Sequence, residues 1–357
     1  MKEGWTYKKL GEVCNIDFGT RVVRSRDAGS IYPVYGGGGA TFKMDTYNRE
    51  DCMVISRFGM SEQCTRFVKG KFFLNDSGLT LSMKKDCMIQ GFMDWQIVYL
   101  NNTIYSLGRG AAQKNLDTKA LAEVVIVYPN NLSEQLSIVS RLDAAFAHID
   151  SLKANVEKQL AEARQLFQAE LAECMRPKEG WEEKTLPDIS ENLDSIRIPV
   201  TKKNRTEGKY PYYGASGIVD YVDDYLFDED LLCISEDGAN LLMRTYPIAF
   251  PISGKVWVNN HAHVLRFKSL ITQKYVEYYF SGLKLDEYIT GAAQPKLTQK
   301  ALNSIIINIP KTIDIQRSIV SRLDALSANI KKLEELKRKT LAECDALKQA
   351  MLREVFE

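Results

Sequence analysis

Between Ser133 and Met175 the chain contains neither glycine nor proline, and its apolar residues recur at helical spacing. Ile138, Leu142, Ala145, Ile149, Leu152, Val156, Ala163 and Leu166 follow alternating steps of four and three, interrupted at Gln159, which is the seam of a coiled coil. A second stretch repeats the pattern with Ile319, Leu323, Leu326, Ile330, Leu333, Cys344, Leu347 and Met351, and carries polar Lys337 and Thr340 in its middle. Each stretch predicts a helix of about 40 residues, roughly 60 Å long at ~1.5 Å per residue, and Pro177 stops the first. A lone amphipathic helix cannot bury its stripe, so the two copies are expected to pack against each other as an antiparallel pair. Leu160, Phe167, Leu171, Leu336, Leu341 and Val355 fall off this seam. They either present surface to other subunits or complete a local core.

The remaining segments alternate short apolar runs with turn residues. "DCMVISRF", "KFFLND", "GLTLSM" and "EVVIVYP" read as strands in the first, and "DLLCIS", "KVWVNN", "HVLRF" and "SIIINIP" in the second. "MDWQIVYLNNTIY" and "ITQKYVEYYFSGL" read as helices. The expected fold class is α+β, with a globule over residues 1–132, a long helix over 133–176, a second globule over 177–312 and a second long helix over 313–357.

The order is a duplication. The octapeptide "SIVSRLDA" stands at Ser137 and again at Ser318, and at that constant offset "GAAQKNL" from Gly110 faces "GAAQPKL" from Gly291, Pro129 faces Pro310, and Gln135 faces Gln316. Nearer the front of each half the match survives as landmarks: "KEGW" at Lys2 and Lys178, "YPVYGGGG" at Tyr32 against "YPYYGASG" at Tyr210, and "VIS" at Val54 against "CIS" at Cys233. The octapeptide opens each seam, and its Arg and Asp are expected to face solvent or a partner. Between the landmarks the halves diverge, so one frame carries two different sets of loops.

Composition narrows the class. With 357 residues, 45% hydrophobic and 26% charged, the chain has the profile of a soluble globular protein. No apolar run reaches the ~18 residues of a membrane span and the first residues have no signal-peptide core, so a cytoplasmic protein is expected. Seven cysteines without CxxC or metal spacing read as reduced structural thiols.

Catalytic motifs are missing. There is no Pro-Pro for the (N/D/S)PP(Y/F) loop of an amino-methyltransferase, "YGGGGAT" lacks the spacing of a dinucleotide fingerprint, and no Walker loop occurs. His261 and His263 in "NNHAHV" are two apart on an expected strand and could begin a metal site, but the matching "NDSGLT" of the first half has no histidine. No metal site and no catalytic residues are therefore assigned.

The net charge of +1 is unevenly divided: residues 1–130 hold 17 basic and 13 acidic side chains, while the second globule is net acidic. Arg21, Arg24 and Arg26 cluster in one expected loop, and Lys202, Lys203, Arg205 and Lys209 in the matching region of the second half. Basic clusters at the same place in both halves, where the sequences otherwise differ, favour an anionic partner.

Taken together, the openings "GWTYKKLGEV" and "GWEEKTLPDI", the two "GAAQ" elements, and the junctions "VIVYPNNLSEQLSIVSRLDA" and "INIPKTIDIQRSIVSRLDA" make the chain resemble the specificity subunits of type I restriction-modification systems over essentially its whole length. That resemblance implies two target recognition domains held apart by an antiparallel two-helix spacer. Each reads one half of a bipartite sequence in the major groove of double-stranded DNA. Two modification subunits would dock around the spacer and methylate adenine, and motor-nuclease subunits would complete a restriction complex. No cofactor is expected in this chain; S-adenosylmethionine belongs to the modification partner. Because the loops differ, the target is expected to be asymmetric.

Residue type and loop position then nominate Arg21, Arg24, Arg26, Arg57, Asn75, Asp76, Arg109 and Lys114 as DNA contacts in the first domain, and Lys202, Lys203, Arg205, Lys209, Arg244, Asn259, Asn260 and His261 in the second. Gln113 and Gln294, common to both halves, cannot set different specificities. A scaffold with twin protein- or glycan-binding globules is the alternative, and a nuclease with an unrecognised site is a third reading.

Overall fold

The structure, a computed structural model, describes residues 2–84, 87–111, 113–291 and 294–357. Ala112, Ala292 and Ala293 of the two "GAAQ" elements lie outside the described residues. The chain divides into two compact units, Met1–Val156 with Arg338–Glu357, and Glu157–Lys337.

In the first unit, strands β1 (Trp5–Lys9), β2 (Cys14–Phe18), β3 (Tyr32–Tyr35), β4 (Ala40–Met44), β5 (Arg49–Ser56), β6 (Thr65–Leu74) and β7 (Gly78–Met83) precede helix α1 (Gln90–Tyr99), strand β8 (Val125–Pro129) and the long helix α2 (Leu132–Cys174). Six strands form one sheet in the order β2-β7-β5-β6-β3-β4, antiparallel except for β3 beside β6, while β1 pairs separately with β8. The alternating apolar residues of β5 and β7, such as Ile55 and Leu79, face α1, whose Phe92, Met93 and Ile97 are fully buried against them.

The second unit runs β9 (Trp181–Lys184), β10 (Ser190–Asn192), β11 (Glu207–Gly214), β12 (Gly217–Val222), β13 (Phe227–Asp228), β14 (Leu231–Ser235), β15 (Ala249–Ile252), β16 (Lys255–Val258), β17 (Ala262–Phe267), α3 (Leu270–Gly282), β18 (Ile307–Pro310) and the long helix α4 (Ile313–Phe356). Here two four-stranded sheets form, β10-β17-β14-β15 and β12-β11-β16-β13. The difference lies in the central hairpin, where β5 of the first sheet corresponds to two strands, β13 and β14, and β6 is split as well. Ten-residue β6 crosses the first sheet with a bulge at Gly70, at φ +75°, whereas its counterpart breaks into β15 and β16 around Gly254, at φ +69°.

Helix α2 starts where the Asn131 side chain accepts from the Ser133 amide at 2.8 Å. Buried Gln135 then ties the helix to its globule, donating to the Pro129 carbonyl at 2.8 Å and accepting from the Ile89 amide at 2.9 Å. Gln316 does the same for α4, donating to the Pro310 carbonyl at 2.9 Å and accepting from the Thr272 hydroxyl at 2.8 Å. This explains why the pair recurs in the sequence.

Within each unit the long helices run antiparallel. Lys153 pairs with Asp345 and Lys348 with Asp150 in the first unit; Arg164 pairs with Glu334 and Arg322 with Glu170, both within 2.6 Å, in the second. One row of the expected seam holds: Leu142 and Ile149 are buried, Leu323 is buried, and Val156 and Ile330 are half-buried. The other row in α2 is displaced by one residue. Leu152 and Leu166 are 48% and 62% exposed, and the inward positions are Phe146, the stem of Lys153, Leu160 and Phe167. The larger apolar neighbour wins at 145/146 and 159/160, and at 152/153 the lysine stem lies inward while its ammonium reaches Asp345. In α4, Ile319, Leu326 and Leu333 stay half-buried and Leu347 is exposed. Leu160, Leu171 and Val355, expected off the seam, are core residues; Leu336 is exposed. Ile138 is half-buried beside Val139.

Each helix end closes on a globule. Leu352, Val355 and Phe356 of α4 enter the first core, where the Phe356 ring lies 5.4 Å from those of Phe92 and Tyr99. Leu171 and Cys174 of α2 pack with Tyr278 and Leu323 in the second. The octapeptide Asp is exposed, as expected off the seam, and is also an anchor: Asp143 accepts from the Trp95 indole at 2.8 Å, and Asp324 from the Tyr278 hydroxyl at 2.5 Å. Among the described residues all seven cysteines are free, and burial pushes the Cys14 thiol up to about 12 and those of Cys52, Cys64 and Cys174 up to about 11.

Candidate nucleic-acid interface

In the first globule the strand ends place five loops along one edge of the sheet. Phe18 ends β2 opposite Leu79, Tyr35 ends β3 beside Leu74, and Ser56 ends β5 opposite Gly78. The Ser56 hydroxyl donates to the Gly37 carbonyl at 2.5 Å, and a Cβ at Gly37 would lie 2.7 Å from the Phe58 carbonyl oxygen. That close approach requires glycine in "YGGGGAT" and makes the run a turn. The loop after Ser56 is stitched to the "GAAQKNL" element by the Leu116 amide on the Arg57 carbonyl at 2.8 Å and the Met60 amide on the Lys114 carbonyl at 2.9 Å.

Along this edge lie Arg21, Arg57, Asn75, Asp76, Arg109 and Lys114. Arg21 is exposed next to the point where the Thr20 amide meets the Leu74 carbonyl. The Arg57 guanidinium lies over the rings of Phe18 and Phe58, 4.7 and 4.5 Å from their centroids. Arg109 pairs with Asp117 at 2.6 Å, and the Lys114 ammonium sits 3.9 Å over the Tyr105 ring. Arg24 and Arg26 lie on the exposed helical turn Arg24–Asp27, where Arg26 holds Asp27 at 2.9 Å.

The second globule repeats the frame with other side chains. Ser235 ends β14 and donates to the Ala215 carbonyl, the Leu297 amide donates to the Glu236 carbonyl at 2.7 Å, and the Gly238 amide to the Pro295 carbonyl at 3.0 Å. Asn260 and His261 are exposed there, and the His261 Nδ1 lies 2.8 Å from Asp237. Lys202 and Lys203 sit on the exposed turn Lys202–Asn204. Arg205 is tied to Asp220 at 2.9 Å and stacks 4.2 Å from the Tyr212 ring; Lys209 lies 5.2 Å from that of Tyr210.

Three nominated residues have structural employment. Asn75 and Asn259 close equivalent turns, their side-chain oxygens accepting from the Ser77 and His261 amides at 2.9 and 2.8 Å. Arg244, at φ +50°, directs its guanidinium to the carbonyls of Phe280, Ser281 and Leu283, the open end of α3. Its donors are therefore engaged, and it is reassigned to helix termination.

Sequence reasoning missed the buried cluster beneath the second edge. His263 places Nδ1 2.6 Å from Asp194 and Nε2 2.8 Å from the Leu297 carbonyl, while Arg197 reaches Glu236 at 2.7 Å and the Ala262 carbonyl at 2.6 Å, and Lys296 reaches Glu236 at 3.1 Å. Burial alone would raise the Asp194 and Glu236 carboxyls. The His263 hydrogen bond to Asp194 and the Arg197 donor to Glu236, with Lys296 beside it, outweigh burial and hold both below the usual carboxylate range. Asp194, Glu236 and His263 have the spacing of metal ligands, but both ring nitrogens already face oxygens and two basic side chains already balance Glu236, so the arrangement works as an ion-pair core. The only sequence signal for it was His263.

Known proteins share this architecture. A family model described as the type I restriction modification DNA specificity domain matches residues 2–162 and again 178–343. A protein of Haemophilus influenzae named as a type I restriction enzyme specificity subunit is 35% identical over 145 residues, 41% of this chain and 37% of that protein's length. A type I specificity subunit of Mycoplasma genitalium is 24% identical over 350 residues, 91% of this chain and 86% of its own. Among solved structures, a chain from a type I restriction-modification assembly superposes with TM-score 0.76 at 15% identity, covering 100% of this chain and 98% of that one. The HsdS subunit of Thermoanaerobacter tengcongensis gives 0.56 at 17% identity, covering 100% and 97%. No helix among the described residues is long and apolar enough to cross a membrane. With the family's domain matched twice, once over each globule and the start of its helix, the chain belongs to the type I restriction-modification DNA specificity subunits.

Proposed function

We propose that this chain reads a bipartite, asymmetric sequence in double-stranded DNA and directs adenine methylation at it by two partner modification subunits, which bind the S-adenosylmethionine; motor-nuclease subunits added to that complex restrict unmodified DNA. The chain supplies sequence recognition and no bond-making chemistry. One observation carries the reading: the same backbone frame, Ser56 on Gly37 and Ser235 on Ala215, presents different side chains at its rim in the two globules. A frame kept while its rim varies is what two readers of unlike half-sites need. Exposed leucines on the long helices, Leu152, Leu166, Leu336 and Leu347, supply apolar surface for the modification subunits. Comparing methyladenine positions in a host with and without the gene tests this. A two-part motif that disappears with the gene is expected; unchanged methylation overturns the proposal.

A further inference from the structure

Arg57 and Glu236 occupy the same place in the repeated frame. Each follows the serine that ends the central strand; the Arg57 amide donates to the Ser77 carbonyl at 2.8 Å and the Glu236 amide to the His261 carbonyl at 2.9 Å. Each carbonyl accepts from the leucine of a "GAAQ" element, Leu116 or Leu297, at 2.8 and 2.7 Å. The side chains have opposite charge and opposite surroundings. Glu236 is buried and neutralised by Arg197 and Lys296. Arg57 is half-buried at the rim, and among the described residues no carboxylate lies within salt-bridge distance of it.

What holds Arg57 is stacking. The guanidinium lies over the rings of both Phe18 and Phe58, themselves 46% and 36% exposed, and its hydrogen bond among the described residues is one long 3.5 Å contact to the Asp76 carbonyl. Arg26, Arg109, Arg197 and Arg205 each hold a carboxylate instead. A planar two-donor fork without an acidic partner matches a pair of acceptors side by side, and in the major groove guanine alone offers that pair, O6 with N7.

Resting on the DNA-reading function above, we propose that Arg57 reads one guanine in the half-site bound by the first globule, with Phe18 and Phe58 as its positioning residues, and that Glu236 makes the same place in the second globule a support for Arg197 and Lys296. The phosphate backbone offers a similar acceptor pair, so the test must separate base from phosphate.

The complex of this chain with its modification subunits is bound to duplexes carrying its own motif, with 7-deazaguanine replacing each guanine in turn. Loss of the N7 acceptor at one guanine of one half-site should weaken binding roughly tenfold, and the other guanines should not matter. In the host, Arg57→Gln and Arg57→Lys should relax or abolish methylation at that same base pair while the other half of the motif is kept. Three results overturn the assignment: no guanine sensitive to deaza replacement, a motif kept intact by Arg57→Lys, or a loss spread equally over both halves. A wild-type chain that yields no motif at all overturns the DNA-reading function itself, which is a different failure from a motif that ignores Arg57.

Discussion

The indole of Trp95 donates a 2.8 Å hydrogen bond to Asp143, while its ring packs 4.3 Å from that of Phe146 one turn along the same helix. The globule thus grips α2 through one polar and one aromatic contact, both from residues in or next to the repeated octapeptide. The second globule uses Tyr278 on Asp324 at the matching place.

Asp143→Ala is expected to loosen this grip by about 1 kcal/mol, the net value of a partly exposed hydrogen bond to a charged group. Hydrogen exchange of α1 amides should speed up in the first unit and leave α3 unchanged. Asp324→Ala should do the reverse. Equal exchange changes in both units would show that the aspartates act on the helices rather than on the globules.

The displaced row of the coiled coil makes a second test. Leu142 and Leu323 are fully buried, so Leu142→Ala or Leu323→Ala should cost about 2–5 kcal/mol and lower the melting temperature visibly. Leu152→Ala and Leu166→Ala, at positions the heptad pattern places inside, should be within about 0.5 kcal/mol of wild type, because both side chains are already exposed. Circular dichroism melts of the four variants distinguish the two registers.

Periodicity could resolve one row of that seam and not the other for a physical reason. Leu142, Ile149, Val156 and Ala163 have no apolar rival beside them that suits the stripe, whereas 145/146 and 166/167 each offer two. The choice there depends on Trp95 and Tyr278, which arrive from distant parts of the chain to meet Phe146 and Phe167. The rim of the candidate interface was legible in the same partial way. Arg57 could be nominated by type and loop, but Phe18 and Phe58 come to lie under it only when β2 and β5 are joined through β7. Arg197 and Lys296 carry no pattern at all, and they enter the second site through hydrogen bonds to Glu236 across long sequence separations.

Asp94 is half-buried on α1, and that burial pushes its carboxyl up to about 6, against a hydrogen bond from Gln90 that lowers it. A carboxyl raised in the folded state stabilises the fold when protonated, so this contribution is full below the ordinary value near 4 and is lost as pH rises through about 6. Asp94→Asn removes the dependence. It should raise stability at pH 7.5 by up to about 2 kcal/mol and leave it nearly unchanged at pH 4, as read by urea unfolding at the two pH values.

Asp194 and Glu236 titrate in the opposite sense. Both carboxyls are held below their ordinary values by His263, Arg197 and Lys296 despite burial, so the stability they contribute is present above about pH 4.5 and is lost as pH falls through the depressed range. The loop that starts at Arg197 also carries the Ile198 carbonyl, which accepts from the Trp257 indole at 2.7 Å, so opening of the cluster should change the fluorescence of that tryptophan. Acidification from pH 6 to pH 3 is expected to shift the Trp257 signal, and Glu236→Gln should show the shifted signal already at pH 6, since an amide cannot balance Arg197 and Lys296. Trp257→Phe identifies the tryptophan responsible. A signal that is flat across this range in the wild type, or unaffected by Glu236→Gln, would mean that the buried ion pairs do not hold the second rim in place.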